Sequence, residues 1–234
     1  MTAFRYRHLF FDLDHTLWDL EENSRRTLNF LFDHHALQQR GIASGKVFYD
    51  KYLPVNQYYW KKYEQGKATK AEVRVNRFSD TLYKFGIQDM VLAERLAHDY
   101  VYYGPRQTGL IPGALDILEY LRPNYSLHVI TNGFQEAQII KLKESGLESY
   151  FTHVFISEEI GYPKPDVRIF QAAMERAGAE PSASLMIGDN HQTDIAGARL
   201  AGIDQVYFQT AFKRGERVEA TYRIRRLSEL KKIL

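Results

Sequence analysis

The stretch "HLFFDLDHTLWD", residues 8–19, joins an apolar run to a pair of acidic side chains. Its near-continuous apolar run is typical of a strand that is buried on both faces of a parallel sheet, and we predict a strand over residues 8–14. Asp12 and Asp14 lie at the end of this strand, and Thr16 follows at once. Because side chains alternate along extended chain, residues two positions apart share a side. The two carboxylates are therefore expected to point the same way.

The composition is that of an ordinary soluble globular protein, with 234 residues, of which 44% are hydrophobic and 26% are charged. The 31 basic and 29 acidic residues leave a net charge of +2, which gives no electrostatic case for a nucleic-acid or membrane partner. The chain has no cysteine, so disulfides, thiolate nucleophiles and thiolate metal sites are excluded. It shows no apolar signal segment and no apolar stretch long enough to span a membrane. We expect a cytoplasmic protein.

The chain after the first strand shows two successive sequence patterns. Residues 20–103 are charged and aromatic with helical spacing, which predicts several helices packed on one another. From residue 112 onward, short apolar strands alternate with helices, which predicts a parallel sheet covered on both faces. The predicted fold is therefore α/β, a Rossmann-like parallel-sheet core with an inserted α-helical domain. We place the core domain at residues 1–18 and 106–234 and the helical domain at residues 19–105.

Polar side chains follow four of the predicted strands. In an open parallel sheet, ligands bind beyond the carboxyl ends of the strands, so residues at these ends are expected to meet at one edge. The first strand is followed by its acidic pair, and the strand "SLHVIT" ends in a threonine that is followed by an asparagine and a glycine. The loop after "HVFIS" holds a lysine between two prolines. The strand "SLMIGD" ends in one aspartate, and a second aspartate follows five residues later. The residues concerned are Asp12, Asp14, Thr131, Asn132, Gly133, Lys164, Asp189 and Asp194.

Four carboxylates at one edge repel one another and require a cation. Oxygen ligands without cysteine favour a hard ion, above all Mg²⁺, whose coordination is commonly completed by a substrate phosphate. The lysine and the hydroxyl and amide donors could hold the other phosphate oxygens. One carboxylate could then attack the phosphorus to form an aspartyl-phosphate, while the second acid could protonate the leaving oxygen and later activate water.

Four motifs in this order resemble those of the haloacid dehalogenase superfamily of phosphatases. They are "DLDHT", "ITNG", "PKPD" and "GDNHQTD", and together they span the whole predicted core. The helical insertion after the first strand is similar to the family's cap of the first type. The stretch "FFDLDHTLWD", the long helical insertion and "GYPKPD" followed by "IF" further resemble the branch of pyrimidine 5′-nucleotidases.

The resemblance implies a role for each motif residue. Asp12 would be the nucleophile and a Mg²⁺ ligand, and Asp14 the general acid and base, with its backbone carbonyl also facing the metal. Lys164 would bridge the nucleophile and the phosphate. Asp189 would be a direct metal ligand, and Asp194 would hold metal-bound water or orient Lys164. The phosphoryl group would be bound by Thr131 and by the backbone at Asn132 and Gly133.

The expected activity is Mg²⁺-dependent hydrolysis of a small phosphorylated metabolite, a nucleoside monophosphate in the first place. A sugar-phosphate or phosphoglycolate-type phosphatase is the alternative, and a phosphosugar mutase or a silent binding protein on the same fold are weaker ones. A dehalogenase is disfavoured because departure of a halide needs no proton from an acid at the position of Asp14. We expect no nucleic-acid or membrane partner, and a monomer or weak homodimer.

One pair of histidines lies in the predicted helical domain. His34 and His35 are adjacent in sequence. Neighbouring residues of a helix point to different sides, so we expect these two imidazoles not to share a metal site.

Overall fold

The computed structural model describes residues 5–209 and 218–234, which divide into two compact units. The core unit comprises Met1–Leu20 and Thr108–Leu234, and the helical unit comprises Glu21–Gln107. Residues 1–4 and 210–217 of the predicted core domain lie outside the described residues.

The core unit is built on a parallel sheet, six-stranded within the described residues, in the order β3-β2-β1-β4-β5-β6. This order is that of a doubly wound fold and confirms the predicted Rossmann-like α/β class. The order reverses between β1 and β4, which is where such sheets form their ligand crevice. The strands are β1 (His8–Phe11), β2 (Ser126–Thr131), β3 (His153–Ile156), β4 (Ser184–Gly188), β5 (Asp204–Phe208) and β6 (Tyr222–Ile224).

Helices cover both faces of this sheet. They are α5 (Ala114–Leu121), α6 (Gln135–Glu144), α7 (Ser157–Ile160), α8 (Val167–Ala177) and α9 (Ala196–Leu200), with short 3₁₀ helices at Glu148–Tyr150, Pro181–Ala183 and Leu227–Lys232. Leu9 and Phe11 of β1 belong to the hydrophobic core that includes residues of α5 and α6, whereas Phe10 belongs to the core that includes residues of α8. Burial on both faces explains why this strand has an almost continuous apolar sequence.

The first strand is shorter than its apolar run. It ends at Phe11 rather than at residue 14, although Asp12 N still donates to Ile187 O over 2.9 Å. The chain then turns tightly. The carbonyl of Leu13 accepts from the backbone N–H groups of the three residues 16–18, and His15 takes a left-handed conformation with φ 65°. The turn directs Asp12 and Asp14 to different partners.

The helical unit confirms the predicted run of helices. Its helices are α1 (Leu20–His34, whose first residue belongs to the core unit), α2 (Gly45–Glu64), α3 (Lys70–Tyr83) and α4 (Met90–Tyr103), with 3₁₀ helices at Leu37–Arg40 and Gly104–Arg106. Residues from all four helices form one hydrophobic core. Across the described residues, no helix combines the length and apolar character that a membrane span requires.

The expectation about the two adjacent histidines was wrong. His34 is the last residue of α1, and His35 lies in the turn that follows. Their side chains converge on the carboxylate of Asp99 in α4, because the chain leaves the helix between them and Ala36 adopts a left-handed conformation with φ 49°.

Candidate active site

A buried lysine joins two of the predicted acids at the carboxyl end of the sheet. Lys164 Nζ lies 2.6 Å from Asp12 Oδ1 and 2.6 Å from Asp194 Oδ1, and it donates to Ile130 O over 2.8 Å. Lys164 is only 2% exposed. Burial alone would lower the pKa of its ammonium, but the two carboxylates outweigh burial and raise that pKa. Lys164 is therefore a permanent cation between two acids.

The side chain of Asp12 is held at both oxygens. Oδ1 faces Lys164, and Oδ2 accepts a hydrogen bond of 3.2 Å from the hydroxyl of Thr16, which is fully buried. Burial raises the pKa of Asp12, and the negative charge of Asp194 raises it further, although Lys164 opposes both effects. The carboxylate is thus fixed in position, but the positive charge of Lys164 does not fully offset burial and the charge of Asp194.

Asp189 lies in a cluster of three carboxylates. Ligand oxygens of Asp12, Asp189 and Asp194 lie within 4.8 Å of one another. Burial is the largest effect that raises the pKa of Asp189, and the negative charges of Asp12 and Asp194 raise it further. One lysine does not neutralise this cluster, and oxygen donors so arranged suit a hard divalent cation such as Mg²⁺. The chemistry of this cluster therefore fits a magnesium ion.

A π-helical turn over His191–Ile195 sets the position of Asp194. Such turns are rare and occur often at functional sites. Asp194 Oδ2 accepts from Asn190 N over 3.0 Å, which leaves Oδ1 for Lys164. Gly188 makes room for this carboxylate, because a Cβ atom at that position would lie 2.3 Å from Asp194 Oδ2. Both oxygens of Asp194 thus have partners from the protein, and the predicted alternative in which Asp194 orients Lys164 agrees with these contacts.

Asp14 belongs to a second buried pair that the sequence did not suggest. Lys141 Nζ lies 2.6 Å from Asp14 Oδ1 and 2.8 Å from Oδ2, and Gln138 Nε2 donates to Oδ2 over 2.9 Å. Burial would raise the pKa of Asp14, but the charge and hydrogen bonds of Lys141 and the amide of Gln138 outweigh it and hold the pKa below its ordinary value. Asp14 is therefore a carboxylate in this arrangement, while the pKa of Asp12 is raised.

Gln138 and Lys141 lie on α6, the helix that follows the "ITNG" motif. Gln138 is fully buried and Lys141 is 8% exposed, and together with Leu142 they form the buried face of α6. A helix that packs on a sheet normally presents apolar residues at these positions. The sequence feature that could have indicated this pair is a glutamine and a lysine at helical positions where apolar side chains are expected.

The residues after β2 form a connected loop. Thr131 Oγ1 accepts from Gly133 N over 3.2 Å and from Gln138 Nε2 over 2.8 Å, so Gln138 links this loop to Asp14. The side chain of Asn132 makes a two-way pair with the backbone of Lys164, at 2.7 Å and 2.9 Å. The structure thus brings the loop together with the acids and assigns the Asn132 amide to holding the lysine segment. Phosphate binding by these residues stays a prediction.

The sequence matches a known family and is similar to named proteins of two bacteria. The chain matches the haloacid dehalogenase-like hydrolases over residues 6–202. It is 36% identical to the pyrimidine 5′-nucleotidase PynA of Streptococcus pneumoniae, over 87% of this chain and 84% of PynA. It is 30% identical to the pyrimidine 5′-nucleotidase YjjG of Escherichia coli, over 97% of this chain and 96% of YjjG.

A solved structure extends the likeness to both units. The crystal structure of the HAD-hydrolase YfnB from Bacillus subtilis, bound to magnesium, superposes with a TM-score of 0.86 at 32% identity and covers 99% of each chain. The match to the family over most of the core, and relatives at 30% identity or more along nearly the full length, lead to one conclusion. The chain belongs to the haloacid dehalogenase-like hydrolase family.

Proposed function

We propose that this protein hydrolyses pyrimidine nucleoside 5′-monophosphates in a Mg²⁺-dependent reaction that passes through an aspartyl-phosphate on Asp12. Its relatives among phosphatases and 5′-nucleotidases make the chain a phosphoric monoester hydrolase. The observation that carries the proposal is the placement of Asp12 between Lys164, Thr16 and the oxygen cluster with Asp189. This placement orients a nucleophile and supplies cationic charge beside it.

Asp12 and Asp189 would hold the magnesium ion, with the backbone carbonyl of Asp14 as a further ligand. When bound, the ion supplies positive charge that favours the ionised carboxylates and the phosphoryl oxygens. Asp194 would orient Lys164 rather than bind the ion, because its two oxygens contact Lys164 Nζ and the backbone N–H of Asn190. The raised pKa values of Asp12 and Asp189 support this proposal, since acids that resist ionisation in isolation gain most from a cation.

The first step is attack on the substrate. A carboxylate oxygen of Asp12 forms a bond to phosphorus while the bond from phosphorus to the ester oxygen breaks, and Asp14 donates a proton to that departing oxygen. Lys164 and the hydroxyl of Thr131 hold the phosphoryl oxygens while charge shifts among them. For this step Asp14 must carry a proton, which the second step of the preceding turnover takes from water, and the protonated form has a looser contact with Lys141.

The second step returns the enzyme to its starting state. Asp14 takes a proton from water, the water oxygen attacks phosphorus, and the bond between phosphorus and Asp12 breaks to regenerate the carboxylate. Inorganic phosphate is released. The carboxylate form of Asp14 that Lys141 favours is the form that this step requires.

We assign the choice of substrate to the helical unit, which the sequence places at residues 19–105. The relatives named pyrimidine 5′-nucleotidase support this assignment, because alignments over 87% and 97% of the chain extend through most or all of that unit. A phosphatase that shared only the core would align over the core alone. The proposed substrates are therefore UMP, dUMP and dTMP rather than sugar phosphates.

A panel of phosphate esters tests the proposal. Phosphate release from UMP, dUMP and dTMP is compared with release from AMP, phosphoglycolate, sugar phosphates and p-nitrophenyl phosphate, with Mg²⁺ and after chelation. We expect the highest kcat/KM for pyrimidine monophosphates, loss of turnover on chelation, and no turnover by Asp12→Asn. Faster turnover of sugar phosphates would reject the nucleotidase, and turnover unaffected by chelation would reject the role of magnesium.

A further inference from the structure

A cluster of three histidines and an aspartate lies in the helical unit, apart from the acidic cluster of the core unit. The carboxylate of Asp99 in α4 lies between imidazoles from three positions. Asp99 Oδ2 lies 2.8 Å from His35 Nε2 and 3.9 Å from His34 Nε2, and Asp99 Oδ1 lies 3.0 Å from His98 Nδ1. All four side chains line one surface pocket, together with Glu94 and Arg95.

The spacing of these atoms suits a single small ion. Ligand atoms of His34, His35 and Asp99 lie within 4.8 Å of one another. A tetrahedral zinc ion, bound at about 2.0–2.1 Å by nitrogen and oxygen, sets its ligand atoms about 3.3 Å apart. The two distances from Asp99 Oδ2, 2.8 Å and 3.9 Å, bracket that value. The spacing of the three ligand atoms is therefore compatible with one tetrahedral ion of this size.

The donor set also selects the kind of ion. Two imidazole nitrogens with one carboxylate oxygen suit Zn²⁺ and its borderline neighbours, whereas Mg²⁺ prefers oxygen ligands alone. Burial would raise the pKa of Asp99, but its hydrogen bonds to His98 and His35 outweigh burial and lower that pKa. Asp99 is thus a carboxylate at neutral pH. His98, whose side chain is 82% exposed, holds the second oxygen of Asp99 through its Nδ1.

Exposure separates this cluster from an ordinary buried hydrogen-bond network. The side chains of His35 and Asp99 are 11% and 20% exposed, which fixes them against the protein, whereas His34 is 50% exposed and faces solvent. A metal ion can therefore enter from solvent and meet two ligands already in place. We propose that the helical unit binds one divalent ion of the Zn²⁺ class through His34, His35 and Asp99, at a site distinct from the acidic cluster of the core unit.

Calorimetric titration of Zn²⁺ into the full chain tests this site, using protein without a histidine tag and a saturating concentration of Mg²⁺ to occupy the core. We expect one Zn²⁺ per chain. His35→Gln and Asp99→Asn should each weaken binding at least about tenfold, the loss that even the removal of an outer partner can cause. His153→Gln removes an exposed imidazole of the core unit and should leave binding unchanged.

His34→Gln guards against failure of the other variants to fold, because it replaces a half-exposed side chain. Circular dichroism and thermal unfolding in a chelator establish that each variant has the wild-type fold. The visible absorption of Co²⁺ bound in place of Zn²⁺ provides a second readout, which should change in His34→Gln. Equal Zn²⁺ affinity in wild type, His34→Gln and Asp99→Asn would overturn the proposal, as would the absence of Zn²⁺ binding in saturating Mg²⁺.

Discussion

Lys141 Nζ lies 2.6 Å and 2.8 Å from the two carboxylate oxygens of Asp14, so the proposed acid and base of the reaction is paired with a lysine from α6. The same ammonium lies 4.4 Å from the centre of the Trp18 ring. Asp12 is paired with a different lysine, Lys164. The two acids of one motif thus have separate cations, and the pKa of Asp12 is raised while that of Asp14 is lowered.

Replacement of the α6 lysine should move the pH profile of the enzyme. Lys141→Met keeps the length of the side chain but removes the charge that opposes the effect of burial on Asp14, so the pKa of Asp14 should rise. The protonated form of Asp14 then persists to higher pH. The limb of the kcat/KM profile that reports Asp14 should therefore shift upward, as measured with UMP from pH 4 to pH 9.

A lysine on the same helix provides the matched control for this shift. Lys143 is exposed, and Lys143→Met should leave the profile where it is. Lys141→Arg retains a cation and should restore most of the wild-type profile. If Lys141→Met and wild type gave the same profile, the pairing would have no influence on the proton carried by Asp14.

The role of Asp14 can be tested with two leaving groups. Asp14→Asn removes the proton donor, which typically contributes about 100- to 10,000-fold to a rate. The loss in kcat should be of this size for UMP, whose alkoxide is a poor leaving group, and much smaller for p-nitrophenyl phosphate, provided that departure of the leaving group limits the rate. Asp12→Asn should abolish both reactions. Equal losses with the two substrates for Asp14→Asn would contradict the role of general acid.

A single methyl group at the end of β4 should disturb the lysine site. In Gly188→Ala the new Cβ would lie 2.3 Å from Asp194 Oδ2, a separation that Cβ atoms do not tolerate, so Asp194 must move and its contact with Lys164 must lengthen. Displacement of a catalytic group by about 1 Å can cost about 100-fold. We expect a loss of this order in kcat/KM and a weaker apparent affinity for Mg²⁺.

The control for this substitution is another glycine with room beside it. Gly104 has φ −59° and its nearest neighbour, a ring carbon of Tyr100, would lie 3.4 Å from an added Cβ. Gly104→Ala should therefore retain full activity. Full activity in Gly188→Ala would show that the position of Asp194 has no bearing on turnover.

Much of the fold and of the candidate site could be predicted because both have local signatures. The apolar runs of β1 and β2 identify buried strands, and the parallel-sheet rule then brings Asp12, Lys164 and Asp189 to one edge. No three-dimensional contact had to be known for that step, since topology alone places the carboxyl ends of parallel strands together.

The partners of Asp14 could not be predicted in this way. Lys141 is a helix residue 127 positions from Asp14, and a lysine in a helix is usually solvated. Only the packing of α6 against the turn after β1 decides that this lysine is buried. His34 and His35 illustrate the same limit, because their convergence depends on the residue at which α1 ends.

A stack of histidines in the sheet should make the core unit sensitive to acid. The ring of His128 in β2 is 1% exposed and stacks between His8 and His153, with centroids 5.4 Å and 5.5 Å away. Its Nε2 lies 3.2 Å from His8 Nδ1, and its own Nδ1 is buried without a hydrogen-bond partner among the described residues. Burial is the largest effect on the pKa of His128, and together with the charges of His8 and His153 it lowers that pKa to about 3.

The sign of the effect follows from the order in which the two states take up the proton. The unfolded chain protonates His128 near its ordinary pKa of about 6.5, whereas the folded chain resists protonation until about pH 3. Stability from neutral His128 is therefore complete above about pH 6.5 and falls with pH below it, by at most about 1.4 kcal/mol per pH unit. His128→Phe keeps an aromatic ring in the stack but cannot titrate, so it should lose less stability between pH 6.5 and pH 4.5.

Urea unfolding at several pH values measures this difference. Trp18 and Trp60 are the tryptophans of the chain, one in each unit, so a Trp60→Phe background makes fluorescence report the core unit. In that background, the free energy of unfolding of His128→Phe should depend less on pH than that of the parent, by about 1–2 kcal/mol over the two-unit interval. Parallel curves for His128→Phe and its parent would mean that His128 takes up its proton as readily in the fold as in the unfolded chain.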